Sequence, residues 1–181
     1  ADNFSGSLTR TTGENIGKYS INQGTLALSS NYTLSYLNDS LSITTKLITI
    51  TAAPKTKTYG DSDPTLTYSV TGLEAGDSIT GSLARITGEN IGKYVIGQGT
   101  ISAGPNYTLV YNQDTLSITP KAITVKADAK SKVYGSSDPA LTYQITSGAL
   151  VGADNFSGSL TRTTGENIGK YSINQGTLAL S

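Results

Sequence analysis

Apolar and polar side chains alternate in short runs along this 181-residue chain. Ile48-Thr49-Ile50-Thr51 and Ile123-Thr124-Val125-Lys126 repeat with period two, as do Tyr32-Thr33-Leu34-Ser35-Tyr36 and Leu41-Ser42-Ile43-Thr44. Period two puts successive side chains on opposite faces of an extended strand, one face wet and one buried. Asn38, Asp39 and Ser40 separate the last two runs and predict a hairpin turn. Tyr19 and Ile21 share a face after a glycine-bracketed turn, and Leu8 lies on the strand before it. No segment carries a convincing helical period. The stretch GLEAGDS at 72–78 has room for one short turn of helix at most. The pattern predicts an all-β protein.

The same phrases return along the chain. TGENIGKY stands at 12–19, at 87–94 and at 164–171, and LITITAAPKTKTYGDSDPTLTY at 47–68 aligns with AITVKADAKSKVYGSSDPALTY at 122–143. These repeats divide the chain into a C-terminal part of one unit (1–46), a complete unit (47–121) and an N-terminal part of another (122–181). TGLEAGDSI in the second copy is replaced by the longer TSGALVGADNF in the third. Loops absorb such a length change and strands do not, so the two kinds of unit are expected to differ between Tyr143 and Phe156 and to superpose elsewhere. Residues 1–29 are identical to 153–181, whereas the middle copy differs from both at many positions. Alternate copies are more alike than neighbours, as duplication of a two-unit block would leave them. The window opens and closes in mid-unit, and a long array sampled in part is the expected source.

The junctions LSITTKLITIT and LSITPKAITVK join one unit to the next without a Gly/Ser hinge or a proline-rich spacer. Pro120 fixes φ at the second junction. Neighbouring units are therefore expected to abut end to end and to form an extended rod.

Composition removes several classes of function. The chain has no cysteine and no histidine, which leaves neither disulfides nor Cys/His metal sites, and denies serine or cysteine nucleophiles their usual base. Thirteen basic and thirteen acidic residues are scattered without a basic stripe, so nucleic acid is not an expected partner. No apolar run approaches the ~20 residues of a membrane span. No enzyme activity and no cofactor is expected.

The repeated motifs offer specific candidates. Gly13 and Gly17, Gly88 and Gly92, and Gly165 and Gly169 bracket each Glu-Asn-Ile turn, where φ > 0 permits a tight reversal. Glu14 with Lys18, Glu89 with Lys93, and Glu166 with Lys170 are expected to pair across it. Asp63-Pro64 and Asp138-Pro139 initiate turns in which the aspartate caps backbone amides. Asp61, Asp63 and Asp77 form a weak calcium candidate, weakened further because Ser136 replaces Asp61 in the next copy and calcium takes six or more oxygens. Tyr59, Tyr68, Tyr94 and Tyr107 are expected to supply the core, with a sugar-stacking platform as the rival use. The sequon matches at Asn3, Asn31, Asn38, Asn106 and Asn155 are chance-level in so Ser/Thr-rich a chain. Lys46 and Lys121 stand at first strands and Asn31 and Asn106 on late ones, but without an attendant acid no Lys–Asn crosslink is expected.

Taken in order, KxYGxxDPxLTY, GSLxR, GENxGxY, I-x-QGTL, NYTL and LSIT resemble the MBG/YDG-type (YGX-type) tandem repeats of giant bacterial cell-surface adhesins. The resemblance covers the whole chain. It implies an extracellular, cell-surface location and a part in attachment, biofilm or surface motility, and carries no catalytic residues. The expected fold is a series of small, antiparallel immunoglobulin-like β-sandwiches. The alternative is a β-grasp-like unit, which needs a helix near 72–79. The expected function is the shaft of an adhesin filament, whose partners are neighbouring repeats and laterally associated chains. The alternative is a repeated weak carbohydrate- or protein-binding module acting by avidity on host or surface glycans.

Overall fold

The computed structural model describes residues 3–180. The protein is all-β, and no helix occurs among the described residues. The first copy contributes β1 (Thr9–Arg10), β2 (Gly17–Asn22) and β3 (Asp39–Ile43). The second contributes β4 (Lys46–Ala52), β5 (Lys55–Thr58), β6 (Tyr68–Thr71), β7 (Ala84–Arg85), β8 (Gly92–Gly97), β9 (Tyr107–Asn112) and β10 (Asp114–Thr119). The third holds β11 (Thr124–Ala127), β12 (Tyr143–Ser147), β13 (Phe156–Ser157), β14 (Thr161–Arg162), β15 (Ile173–Asn174) and β16 (Ala179–Leu180).

Two sheets build the second copy, ordered β6-β4-β9 and β5-β10-β8-β7. Period two is visible in β4, where Ile48, Ile50 and Ala52 are buried and the threonines between them are not. Ile48 and Ile50 pack with Ile101 against Tyr68, Val70, Leu109 and Tyr111. Ala52 packs with Ile96 of β8 and Leu116 of β10. Leu83 and Tyr111 touch both clusters and join them into one core. The β-grasp alternative falls for want of a helix. Residues 72–79 make only a turn at Ala75–Gly76, closed by the Asp77 amide donating to the Glu74 carbonyl at 3.2 Å.

One feature corrects the purely antiparallel expectation. β4 pairs antiparallel with β6 but parallel with β9, in the register Ile48↔Leu109 and Ile50↔Tyr111. Parallel partners need a long crossover, and the chain between β4 and β9 supplies one by building most of the other sheet. The hairpin expected at Asn38–Ser40 does not form: in the second copy the flanking strands β9 and β10 lie in different sheets, and in the first copy residues 33–38 form no strand. Asp39 already belongs to β3, and Gln113 alone separates β9 from β10.

The copies that flank the second are less regular. In the first copy residues 33–37 form no strand, whereas the matching residues of the second copy are in β9. In the third copy the matching partners of β5 and of most of β8, residues 130–133 and 169–172, likewise form no strand. Where partners exist, the register is the same in every copy. Arg10↔Ile21, Arg85↔Ile96 and Arg162↔Ile173 are equivalent pairs. β11 and β12 keep the β4–β6 register until Thr124, where a bulge shifts the pairing by one residue, to Ser147.

The chain divides into two compact units. One comprises Ala1–Lys55, Thr65–Thr87 and Tyr94–Leu116 and contains both apolar clusters. The other comprises Thr56–Pro64, Gly88–Lys93 and Ser117–Ser181.

Burial decides what a core substitution costs. Ile50 is fully buried, whereas its counterpart Val125 is half-buried beside a sheet that lacks a neighbour. Ile50→Ala is expected to destabilise the first unit by about 2–5 kcal/mol, and Val125→Ala to cost distinctly less, as read by urea unfolding of the whole chain.

Candidate functional site

Each copy assembles its repeated motifs into one clasp, and the third copy shows it most completely. Lys132 Nζ lies 2.7 Å from Asp138 and 2.6 Å from Glu166. Arg162 reaches the same two carboxylates, at 2.7 Å from Asp138 Oδ2 and 2.6 Å from Glu166 Oε1. The lysine comes from the KxYG phrase, Asp138 from the Asp-Pro turn, Arg162 from GSLxR and Glu166 from GENIGKY. Four motifs more than thirty residues apart at their extremes thus meet at one cluster. In the second copy Lys57 plays the same part, 2.7 Å from Asp63 and 2.5 Å from Glu89, and is buried. In the first copy Arg10 pairs with Glu14.

This geometry corrects the expected Glu–Lys pairing inside the turn. Glu14, Glu89 and Glu166 face the arginine or lysine of other motifs instead of Lys18, Lys93 and Lys170. The reason is the strand that follows the turn. Where Lys18 sits in β2, it points from a paired strand while Glu14 precedes the turn beside Arg10. Asp63 and Asp138 of the Asp-Pro turns bind side-chain cations.

The arginine also explains the tyrosine and the first glycine of the phrase. Arg10, Arg85 and Arg162 each stack 5.5 Å over the ring of Tyr19, Tyr94 and Tyr171 respectively. Arg10 Nη1 donates to the Gly13 carbonyl at 2.7 Å, and Arg162 Nη1 to that of Gly165 at 2.7 Å. The Tyr19 hydroxyl closes the loop by donating to the Asn15 carbonyl at 2.8 Å, as Tyr171 does to Asn167. The ring then presses on the glycine: a Cβ on Gly13 would lie 2.1 Å from Tyr19, and on Gly165 2.2 Å from Tyr171. Gly17, Gly88 and Gly92 also have positive φ, but Gly169 is the exception and has open space where its Cβ would be.

The charges hold one another ionised. Arg162 first and Lys132 second keep the Asp138 carboxyl down at about 2, and Lys132 and Arg162 lower Glu166 as well. Asp63 and then Glu89 raise Lys57, just as Asp138 and Glu166 raise Lys132. A group of ionised carboxylates saturated by cations is poorly placed to exchange protons with a substrate.

Other candidates are dispersed. Asp61, Asp63 and Asp77 are not brought together, and among the described residues no three His, Cys, Asp or Glu side chains gather at a metal-binding distance. Asp77 instead accepts from the Tyr107 hydroxyl, and Asp63 faces Lys57. Tyr68, Tyr94 and Tyr107 pack on the core as expected, and Tyr59 donates to Asp154 at 3.3 Å. Lys46 pairs with Glu74.

Sequence reasoning missed how one copy holds the next. In the first unit the Asn106 side chain of the second copy accepts from the Ile16 amide at 3.0 Å and donates to Asn15 Oδ1 at 2.9 Å. The Asn106 carbonyl takes the Lys46 amide at 2.9 Å. In the second unit Asn90 and Ile91 border a cavity of about 480 Å³ with Pro120 and Ile123, and Val151 rests against Gly60. The signal was present, because Asn-Ile recurs in every turn.

Two outcomes follow from the clasp. Gly165→Ala drives a methyl into the Tyr171 ring at a positive φ, and is expected to lose more than about 1 kcal/mol, seen as a lower urea midpoint. Asp138 is depressed from its ordinary 3.8 to about 2, so its contribution is complete above pH 3.8 and is lost as pH falls through about 2. The melting temperature of the parent should exceed that of Asp138→Asn near neutrality, and the two should converge towards pH 2.

No curated protein and no solved structure matches the chain. The MBG domain of YGX type matches residues 1–42, 48–117 and 123–181. With three matches accounting for nearly every residue, and the YG, GSLxR and GENIGKY phrases meeting in a single clasp, the chain belongs to the MBG domain family of the YGX type.

Proposed function

We propose that this chain is a length-giving segment of a bacterial surface protein, the shaft of an extracellular adhesin that supports attachment, biofilm or surface motility. One observation carries the reading. Most of the side chains that recur between copies are engaged within a copy or between one copy and the next. The clasp cations face Asp and Glu of their own chain, Tyr19, Tyr94 and Tyr171 sit under arginine, Tyr68 and Tyr107 pack on the core, and Asn15 and Ile16 hold Asn106. A receptor site would leave a recurring group of polar or aromatic side chains open to a ligand. A spacer spends them on itself.

The family is of a structural or binding type, and no helix among the described residues is long and apolar enough to cross a membrane. Two residues, Thr44 and Thr45, separate β3 from β4, too few for a flexible linker. The copies then follow one another at roughly 35–45 Å per unit, from strands of five to eight residues along the axis.

Small-angle X-ray scattering on the full chain should give an elongated, rigid profile whose length grows by twice that increment when a further two-unit block is added. A compact profile would defeat the shaft reading. A glycan array probed with the same chain should stay blank, and a reproducible hit abolished by Tyr134→Ala would favour the avidity module instead.

A further inference from the structure

Both Asp-Pro steps of this chain lie in a clasp. They are Asp63-Pro64 and Asp138-Pro139, each between a YG phrase and the strand that follows it, β6 or β12. Neither sits in a ladder, since residues 62–67 and 137–142 form no strand. The two aspartate side chains are 41 % and 45 % exposed, so water reaches both. The bond before proline is a tertiary amide without an N–H, and acid protonates its nitrogen more readily than that of an ordinary peptide. An aspartate in front of it carries a carboxylate one ring closure away from the carbonyl of that bond.

The clasp restrains that carboxylate. Arg162 holds both oxygens of Asp138, with Nε donating to Oδ2 at 2.7 Å and Nη2 to Oδ1 at 3.0 Å. Lys132 adds a third contact, to Oδ1 at 2.7 Å, and Glu166 faces the same two cations and fixes them in place. Bidentate contacts between ionised groups are strong and directional. In the second copy the buried Lys57, set between Asp63 and Glu89, holds the corresponding carboxylate. An oxygen committed to a guanidinium or an ammonium is not available to attack its own backbone. Arg162 and Lys132 also keep the Asp138 carboxyl down at about 2, so the pairing outlasts the mild acidity at which an unrestrained aspartate takes up its proton.

We propose that Asp63-Pro64 and Asp138-Pro139 are acid-triggered self-cleavage sites, and that the clasp is their latch. When the clasp opens, a carboxylate oxygen of Asp138 attacks the carbonyl carbon of the same residue and closes a five-membered anhydride. The C–N bond to Pro139 breaks, and the proline nitrogen leaves as a secondary ammonium with protons drawn from the acid medium. Water then opens the anhydride and leaves Asp138 as a new C-terminus. The balance is one water consumed, without oxidant, metal or cofactor. Asp63 and Pro64 react in the same way. Cuts at both bonds release residues 64–138, which are 75 residues and the length of one repeat. The latch is independent of whether the shaft reading holds.

The test holds the full chain at a pH of about 3, folded and in urea, and follows its fragments by mass spectrometry. In urea both bonds should break at similar rates, into residues 1–63, 64–138 and 139–181. The folded chain should break severalfold more slowly at each. Arg162→Gln should restore cutting at Asp138-Pro139 and leave Asp63-Pro64 as slow as in the parent, an internal control for unfolding. Adding Asp138→Glu to that variant keeps a carboxylate but demands a six-membered ring, and should abolish the cut there. A folded parent cut as fast as in urea, or an Arg162→Gln chain in which both bonds accelerate together, would overturn the latch. Undiminished cutting after Asp138→Glu would overturn the side-chain carboxylate as the attacking group.

Discussion

The parallel ladder between β4 and β9 is the constraint on which the rest of the second copy depends. A strand buried on one face must satisfy its backbone on both edges, and β4 finds one partner nearby in β6 and the other about sixty residues later. That long return fixes where Leu109 and Tyr111 meet Ile48 and Ile50. It also delivers β10, one residue beyond β9, to the middle of the other sheet. The single residue Gln113 thus carries the chain from one sheet into the other. Contacts of such separation are closed at an entropic cost, which makes these repeats slow to fold relative to helical repeats of similar size.

The charge clasp solves a different problem. Small units bury little apolar surface, and Ile91, Tyr134 and Ile168 of the YG and GENIGKY phrases stay exposed. A cation set between two carboxylates from separate loops holds both without an apolar anchor. Exposed ion pairs contribute little individually, so the value lies in the network and in the arginine stacked on its tyrosine. Lys57 shows the arrangement at its tightest, with the ammonium buried while the carboxylates stay half-exposed and hydrated. Desolvation then falls on one charge, which is paired twice.

Much of this was legible in the sequence, and the reasons are local. Period two at Ile48 and Ile50, the absence of a helical period and the position of the two-residue insertion all report on neighbours along the chain, and each corresponds to a feature of the fold. The Glu14–Lys18 pairing was misread because proximity in sequence was taken for proximity across a turn, whereas β2 carries Lys18 away from it. The parallel β4–β9 ladder was invisible for another reason: alternation states which face is buried and says nothing of the direction of a partner sixty residues distant. Asn106 was read as a sequon and a crosslink candidate, while its amide is committed to Asn15 and Ile16 of the preceding copy.

That commitment changes what the repeated phrase means. TGENIGKY contains two groups of residues with separate audiences. Gly13, Glu14 and Tyr19 address the arginine of their own copy, and Asn15 and Ile16 address the next. The turn that tightens a repeat is therefore also the piece that seats its successor, so neither use can drift without disturbing the other. A phrase under two constraints has fewer tolerated spellings than one under a single constraint. TGENIGKY stays letter-perfect across all three copies while the strands around it vary between neighbours.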